Sequence, residues 1–399
     1  MTGLYAANHP ARFWRLVTPE AGPAEWDAAI GSAAAALPYL ARAAGDDVER
    51  LLEATLGEGQ FGRRRFRLSR ARRAYYLLKP LLPRSLVLRG RRRARALAQR
   101  TFPLGWPIED RYRRFLWDAA AGVLALHGLN EAPFIWFWPN GAAYALVLTH
   151  DVETGEGQRF VSQVADLEQR LGLRSSFNFV AERYPLDHGL IEDLMVRGFE
   201  VGVHGRRHDG REMRSRRVFD RQARHLNRHL RRLGAVGFRS PLTHRHPEWM
   251  QALEVEYDAS FFDSDPFEPM PGGTMSLWPF IIGRFIELPY TLAQDFTLLE
   301  VLGEPGPRLW LEKIAYLRRY CGMALLNAHP DYLRESRHRR AYADFLEAAV
   351  RDGCGWHALP REVARWWRRR AEAESVATLP GARAGRVYRD AAGEAGVVP

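Results

Sequence analysis

FEVGVHGRRHDG, residues 199–210, decides how the rest of the chain is read. Glu200–Val203 (EVGV) is a short, mostly apolar run of strand length, and it ends on His204. His208 follows four residues on, with Gly205 and two arginines between. In parallel α/β folds the working side chains stand just past the carboxyl ends of the strands. If Gly205–His208 forms one helical turn, both imidazoles face the same way.

The neighbouring apolar runs end in the same manner. Ala143–Leu148 (AYALVL) leads into THDVE, where Asp151 and Glu153 stand two apart on extended chain and so point to one side. Val236–Arg239 delivers Arg239 in GFRSP, and Ala324–Leu326 leads to His329 in AHPDY. Ser176–Val180 (SFNFV) and Phe285–Leu288 are further strands. Gly157–Leu171, Leu190–Arg197 and Arg216–Leu233 carry helical patterns between them. Strands alternating with helices predict a parallel α/β fold, open or closed into a barrel.

Two neutral imidazoles and one carboxylate form a ligand set for a catalytic divalent metal with a position left for water. A second carboxylate can take the water's proton, an arginine can hold that carboxylate ionised, and a separate histidine can protonate a leaving amine or alkoxide. Each piece alone is weak: a His-x-x-x-His pair is common on arginine-rich surfaces, and carboxylates after a strand often cap the next helix. What raises them is that all fall at strand ends. His225, His229, His244 and His246 read as structural or surface residues, and Asp263 and Asp265 as loop residues with a substrate-side role as the lesser alternative.

LTHDVE, SSFNFV, EVGVHGRRHDG, GFRSP and AHPDY together make residues 140–335 resemble the polysaccharide deacetylase (NodB-like) family. The resemblance implies a distorted (β/α)7 barrel and a metal-dependent carbohydrate deacetylase acting on a carbon–nitrogen bond that is not a peptide. It implies His204 and His208 as metal ligands, Asp151 as catalytic base, Arg239 as its tether and His329 as general acid. Glu153 stands where one branch of the family places an aspartate on the metal, and is one methylene longer. Zn2+ is the first candidate, with Co, Ni and Mn as alternatives. Asp295, in ELPYTLAQDF, lies about where the family carries a further aspartate.

The substrate expected is an N-acetylated sugar or glycan precursor, or an O-acetylated one. The alternatives are a same-fold hydrolase of another linear or cyclic amide and a non-catalytic glycan-binding or scaffold member. The 399 residues divide into a helical, basic region at 1–135, the barrel at 136–370 and a disordered tail at 371–399. Asp47–Leu56 and Glu109–His127 read as helices within the first region.

The net charge of +11 is concentrated. Residues 61–100 hold 14 arginines, one lysine and no acid, so the remainder carries −4. Phe66, Leu68, Tyr75 and Leu78 interleave that charge, as in a segment that lies on an anionic membrane surface. Packing on the barrel with its charge solvated is the plainer alternative, and nucleic acid the least expected, since no base-reading motif appears. Two cysteines make no disulfide framework. Without a signal pattern or a long apolar run, a cytoplasmic location is expected, peripheral to the inner face of the membrane if the basic segment binds it.

Overall fold

A computed structural model describes residues 3–16, 21–38, 47–68 and 83–399, with 84 and 85 described by backbone alone. The expectations placed on Tyr75 and Leu78 lie outside those residues. The chain opens with α1 (Pro10–Trp14), α2 (Pro23–Ala33), α3 (Val48–Leu56), α4 (Arg84–Thr101) and α5 (Arg111–Leu126). Asp47 starts α3 by accepting from the Arg50 amide at 3.1 Å. On α5, Tyr112, Phe115, Leu116, Ala119, Ala120 and Val123 fall on one face and are all buried. Each large apolar side chain so buried stabilises by roughly 1.5–3 kcal/mol.

After β1 (Glu131–Ile135) the barrel begins with β2 (Tyr144–Val152), every residue of which is buried. Its apolar run without alternation is that of a parallel strand covered on both faces. Next come α6 (Gly155–Arg170), β3 (Ser176–Phe179), α7 (His188–Val196), β4 (Glu200–Val203), α8 (Arg216–Leu233), β5 (Gly237–Phe238), β6 (Tyr257–Asp258), β7 (Phe280–Ile282) and β8 (Phe285–Glu287). A π-helix at Phe296–Leu302 precedes α9 (Arg308–Arg319), β9 (Met323–Ala328), α10 (Ser336–Asp352), β10 (Gly355–His357) and α11 (Pro360–Glu372).

Among the described residues, β9, β2, β3, β4, β5, β6 and β8 pair in that order, all parallel. These are the seven staves expected of the distorted barrel. The ring closes irregularly: the Leu292 amide donates to the Leu325 carbonyl at 3.1 Å, and Thr291 Oγ1 accepts from the Leu325 amide at 2.9 Å. β7 adds antiparallel to β8, and β10 extends the far end of β2. The predicted bounds of β4 and α8 match the structure residue for residue. Ser215 caps α8, and its buried Phe219, Ala223, Leu226, Leu230 and Leu233 face the barrel.

The tail does not follow expectation. Ala384–Arg389 (β11) and Ala395–Val398 (β12) form an antiparallel sheet with β1, so 371–399 is ordered. The small residues that suggested disorder are what close packing needs: Gly385 lies against Trp136 and Phe134, and Val387 is buried. One hydrophobic core also runs from α1 through the barrel, which ties α1, α2, α3 and α5 to it. Arg370 stitches the joint. Fully buried, it donates to the carbonyls of Phe13, Ile135 and Trp136 at 2.8, 2.6 and 3.0 Å.

Glu200 begins β4 buried, accepting from the Tyr257 hydroxyl at 2.8 Å and the Arg361 amide at 3.1 Å. Burial pushes its carboxyl up to about 7. The folded state therefore binds this proton more tightly than the unfolded chain. The stability this confers is complete below the unfolded pKa, near 4.5, and is lost as pH rises through 7. Glu200→Gln is expected to abolish that loss, on the order of 3 kcal/mol. Urea unfolding at pH 5 and pH 8 checks it: the wild type should weaken across the interval more than the variant.

Candidate metal site and cleft

Period-two alternation at the end of β2 sorts its polar residues. His150 points outward into a buried network, its Nε2 2.6 Å from Glu168 Oε1. Asp151 and Glu153 point to the cleft, as their spacing predicts. Asp151 is held on both oxygens: Oδ1 accepts from Asn178 Nδ2 at 3.1 Å and Arg239 at 3.3 Å, and Oδ2 from Asn327 Nδ2 at 3.0 Å. Arg239 is itself fixed, donating to the Ala259 carbonyl at 2.8 Å, Thr149 Oγ1 at 2.8 Å and Asn327 Oδ1 at 2.5 Å.

His204 sits at the end of β4 with Nδ1 3.1 Å from the Arg239 carbonyl. A carbonyl only accepts, so Nδ1 carries the hydrogen and Nε2 presents a lone pair. His208 Nε2 lies 3.0 Å from Glu153 Oε1. The segment between the histidines is not the helical turn expected. Gly205 and His208 both take left-handed backbone, φ +67° and +56°. A Cβ at Gly205 would lie 2.2 Å from Pro241 Cγ, so glycine is required where the chain turns back on itself. Gly202 serves a second purpose: a Cβ there would stand 2.0 Å from Asn178 Oδ1, in the space the amide uses to reach Asp151. Arg206 and Arg207 face away, toward Glu182.

Donor atoms of Glu153, His204 and His208 lie within 4.8 Å of one another. Nitrogen and carboxylate ligands bind Zn2+ at roughly 2.0–2.2 Å, so this separation and this donor chemistry fit a divalent cation. Despite its extra methylene, Glu153 brings a carboxylate oxygen within 4.8 Å of both imidazoles. Asp151 Oδ2 lies 3.8 Å from His204 Nδ1, beside the three and outside their set.

On the other side, His329 Nδ1 lies 2.7 Å from Asp295 Oδ1, and Asp295 Oδ2 accepts the His329 amide at 2.8 Å. Its Nε2 faces Glu153 at 3.9 Å. Burial opposes a charge on His329, but Asp295, then Glu153 and Asp151, outweigh it and push its pKa up to about 10. Burial likewise opposes charge on Asp151, and the surrounding cations and the Asn178 amide hold it at about 2. His204 goes the other way: burial lowers it to about 4, leaving it neutral. Burial works against Glu153, yet the His208 contact keeps it well below the usual carboxylate range.

All six residues predicted for the site, Asp151, Glu153, His204, His208, Arg239 and His329, thus meet at the carboxyl ends of the staves. Asp295, singled out loosely, belongs with them. Asn178 and Asn327 were missed; each is a lone amide in a buried strand, which was the available signal. Asp263 does not reach the cleft; it pairs with buried Lys313 at 2.5 Å. Asp265 is buried beside it, His229 binds Glu182, and His246 stacks on Trp249 at 4.0 Å.

No protein-family model matches the chain, and no curated protein matches it. Solved structures do. Two assigned as polysaccharide deacetylases, from Mycobacterium smegmatis and Pseudomonas aeruginosa PAO1, are 17% and 18% identical and each aligns over 58% of this chain, with 92% and 93% of their own length covered, at TM-score 0.48. An allantoinase is 16% identical over 60% of this chain and 94% of its own, at TM-score 0.47.

Proposed function

We propose that this chain is a metal-dependent hydrolase of the polysaccharide deacetylase type, removing an acetyl group from an N-acetylated sugar or glycan precursor. One observation carries the reading. Asp151 on its guanidinium and amide donors, the Glu153–His204–His208 cluster and His329 paired with Asp295 gather at one cavity of about 430 Å³, the size of a small-ligand site. Glu153, His204 and His208 would hold the metal, with Zn2+ expected. When bound, it polarises the amide carbonyl and lowers the pKa of water.

The protein's own groups move the protons. Asp151 takes one from the attacking water as its oxygen bonds to the carbonyl carbon. His329, its Nδ1–H fixed by Asp295, gives the Nε2 proton to the amine nitrogen as the C–N bond breaks. Acetate and a free amine leave. Arg239, Asn178 and Asn327 orient Asp151 and keep it charged.

Metal analysis by mass spectrometry tests the reading beside His204→Ala/His208→Ala. Close to one metal per wild-type chain, none in the variant, and acetate released from N-acetylglucosamine oligomers by the wild type alone are expected. A wild-type chain that stays metal-free after incubation with zinc would overturn it.

We also place the protein at the cytoplasmic face of a membrane. No described helix is long and apolar enough to cross one. The support comes from α4, where Leu86 and Leu97, 51% and 65% exposed, stand eleven residues apart and so on one outer face, among arginines. Leu86→Asp/Leu97→Asp should weaken sedimentation with phosphatidylglycerol vesicles several-fold. Equal sedimentation of variant and wild type would count against the placement.

A further inference from the structure

Helix α4 belongs to none of the β/α units, yet it forms one wall of the cleft. Val87, Leu88 and Arg91 line it, Arg91 standing one turn on from both. Two anchors set the rotation of the helix. Arg92 Nε donates to the Glu300 carbonyl at 2.8 Å, and Arg95 to that of Leu302 at 2.6 Å, both on the π-helix. With those two turned to the π-helix, Arg91 reaches into the cleft, its guanidinium over the Phe296 ring at 5.0 Å from the centroid. The cleft is thus divided. Its floor carries the metal-site carboxylates and imidazoles; among the described residues its α4 wall presents Val87, Leu88 and the Arg91 guanidinium.

Acetyl hydrolysis calls for nothing at that wall. A neutral acetylated sugar offers the Arg91 guanidinium no charge to meet. A guanidinium beside apolar groups suits a phosphate, whose oxygens its planar donors match in pairs. Glu268 shares the wall and accepts the Thr297 hydroxyl at 3.0 Å. Burial pushes its carboxyl above the usual range, against the opposing charge of Arg91.

We propose that the substrate is an acetylated sugar phosphate, with Arg91 reading the phosphate and Val87 and Leu88 contacting what the phosphate is esterified to. The inference rests on the hydrolase reading for the acetyl group, but its test is binding and stands apart from turnover. In the full-length Asp151→Asn chain, calorimetry compares N-acetylglucosamine 1-phosphate with N-acetylglucosamine. The phosphate is expected to tighten binding on the order of tenfold. Adding Arg91→Ala should erase that difference, and Arg91→Lys should restore part of it. No preference for the phosphate, or a preference that survives Arg91→Ala in a chain with unchanged circular dichroism, would overturn the proposal. A third probe, the same sugar phosphate esterified to a polyprenyl chain in micelles, separates the sources. Tighter binding that Leu88→Ser removes assigns a lipid-linked phosphate; binding equal to the soluble probe assigns a free sugar phosphate. If the phosphate preference holds but no acetate is released by the wild type, the hydrolase reading fails and the anion site stands.

Discussion

Asp151→Asn is expected to lose hydrolysis by about 10²–10⁴-fold, the range for removing a general base, while keeping its metal. The substitution is nearly isosteric, and Glu153, His204 and His208 are untouched. Arg239 keeps its bonds to Ala259, Thr149 and Asn327, so the scaffold around position 151 persists. An amide at 151 cannot take a proton from water at neutral pH. It also presents an N–H toward groups that now donate to the carboxylate, Asn178 and Asn327 among them, so a stability loss of about 1–3 kcal/mol accompanies the change. Metal content and acetate release measured on the same preparation separate the two effects. Hydrolysis at wild-type rate would remove Asp151 from the role of base.

Asp295→Asn carries the second large effect. Asp295 is the principal group raising the pKa of His329, against burial, to about 10, and it holds the ring through Nδ1. A general acid must be protonated to act, so activity should fall on the alkaline side as His329 loses its proton. With the carboxylate gone, burial is less opposed and the pKa drops, which moves the alkaline limb to lower pH. The rate at pH 8 should fall by about 10²-fold or more, and less of it should be lost at pH 6. An alkaline limb at the same pH in both proteins would show that another group supplies the proton.

The strands and helices around the site were legible because each is dominated by one local rule. EVGV is short, apolar and bounded, and α8 carries a 3.6-residue stripe between a serine cap and a glycine stop. Where several rules compete, reading failed. β6 is two residues long, too short for any periodicity. The small residues of 371–399 look the same whether they stay loose or pack against Trp136, because close approach and flexibility both favour glycine and alanine. The His-x-x-x-His spacing is compatible with a helical turn, but Gly205 and His208 take positive φ, Gly205 packed against Pro241 and His208 on Glu153.

Sequence by itself determined which residues the chain places at the ends of its staves: Asp151, Glu153, His204, Arg239 and His329 follow from strand length and period-two alternation. Those are nearest-neighbour properties, readable from a few residues at a time. The tertiary structure alone decided their states. Asp151 accepts from Arg239, Asn178 and Asn327, which converge on it from the end of β5, from β3 and from β9, and His329 is fixed by Asp295, which arrives from the start of the π-helix 34 residues earlier. It also decided that α4, remote in sequence, walls the cleft. Electrostatic and packing energies depend on distance through space, and distance through space is what the order of residues leaves unstated.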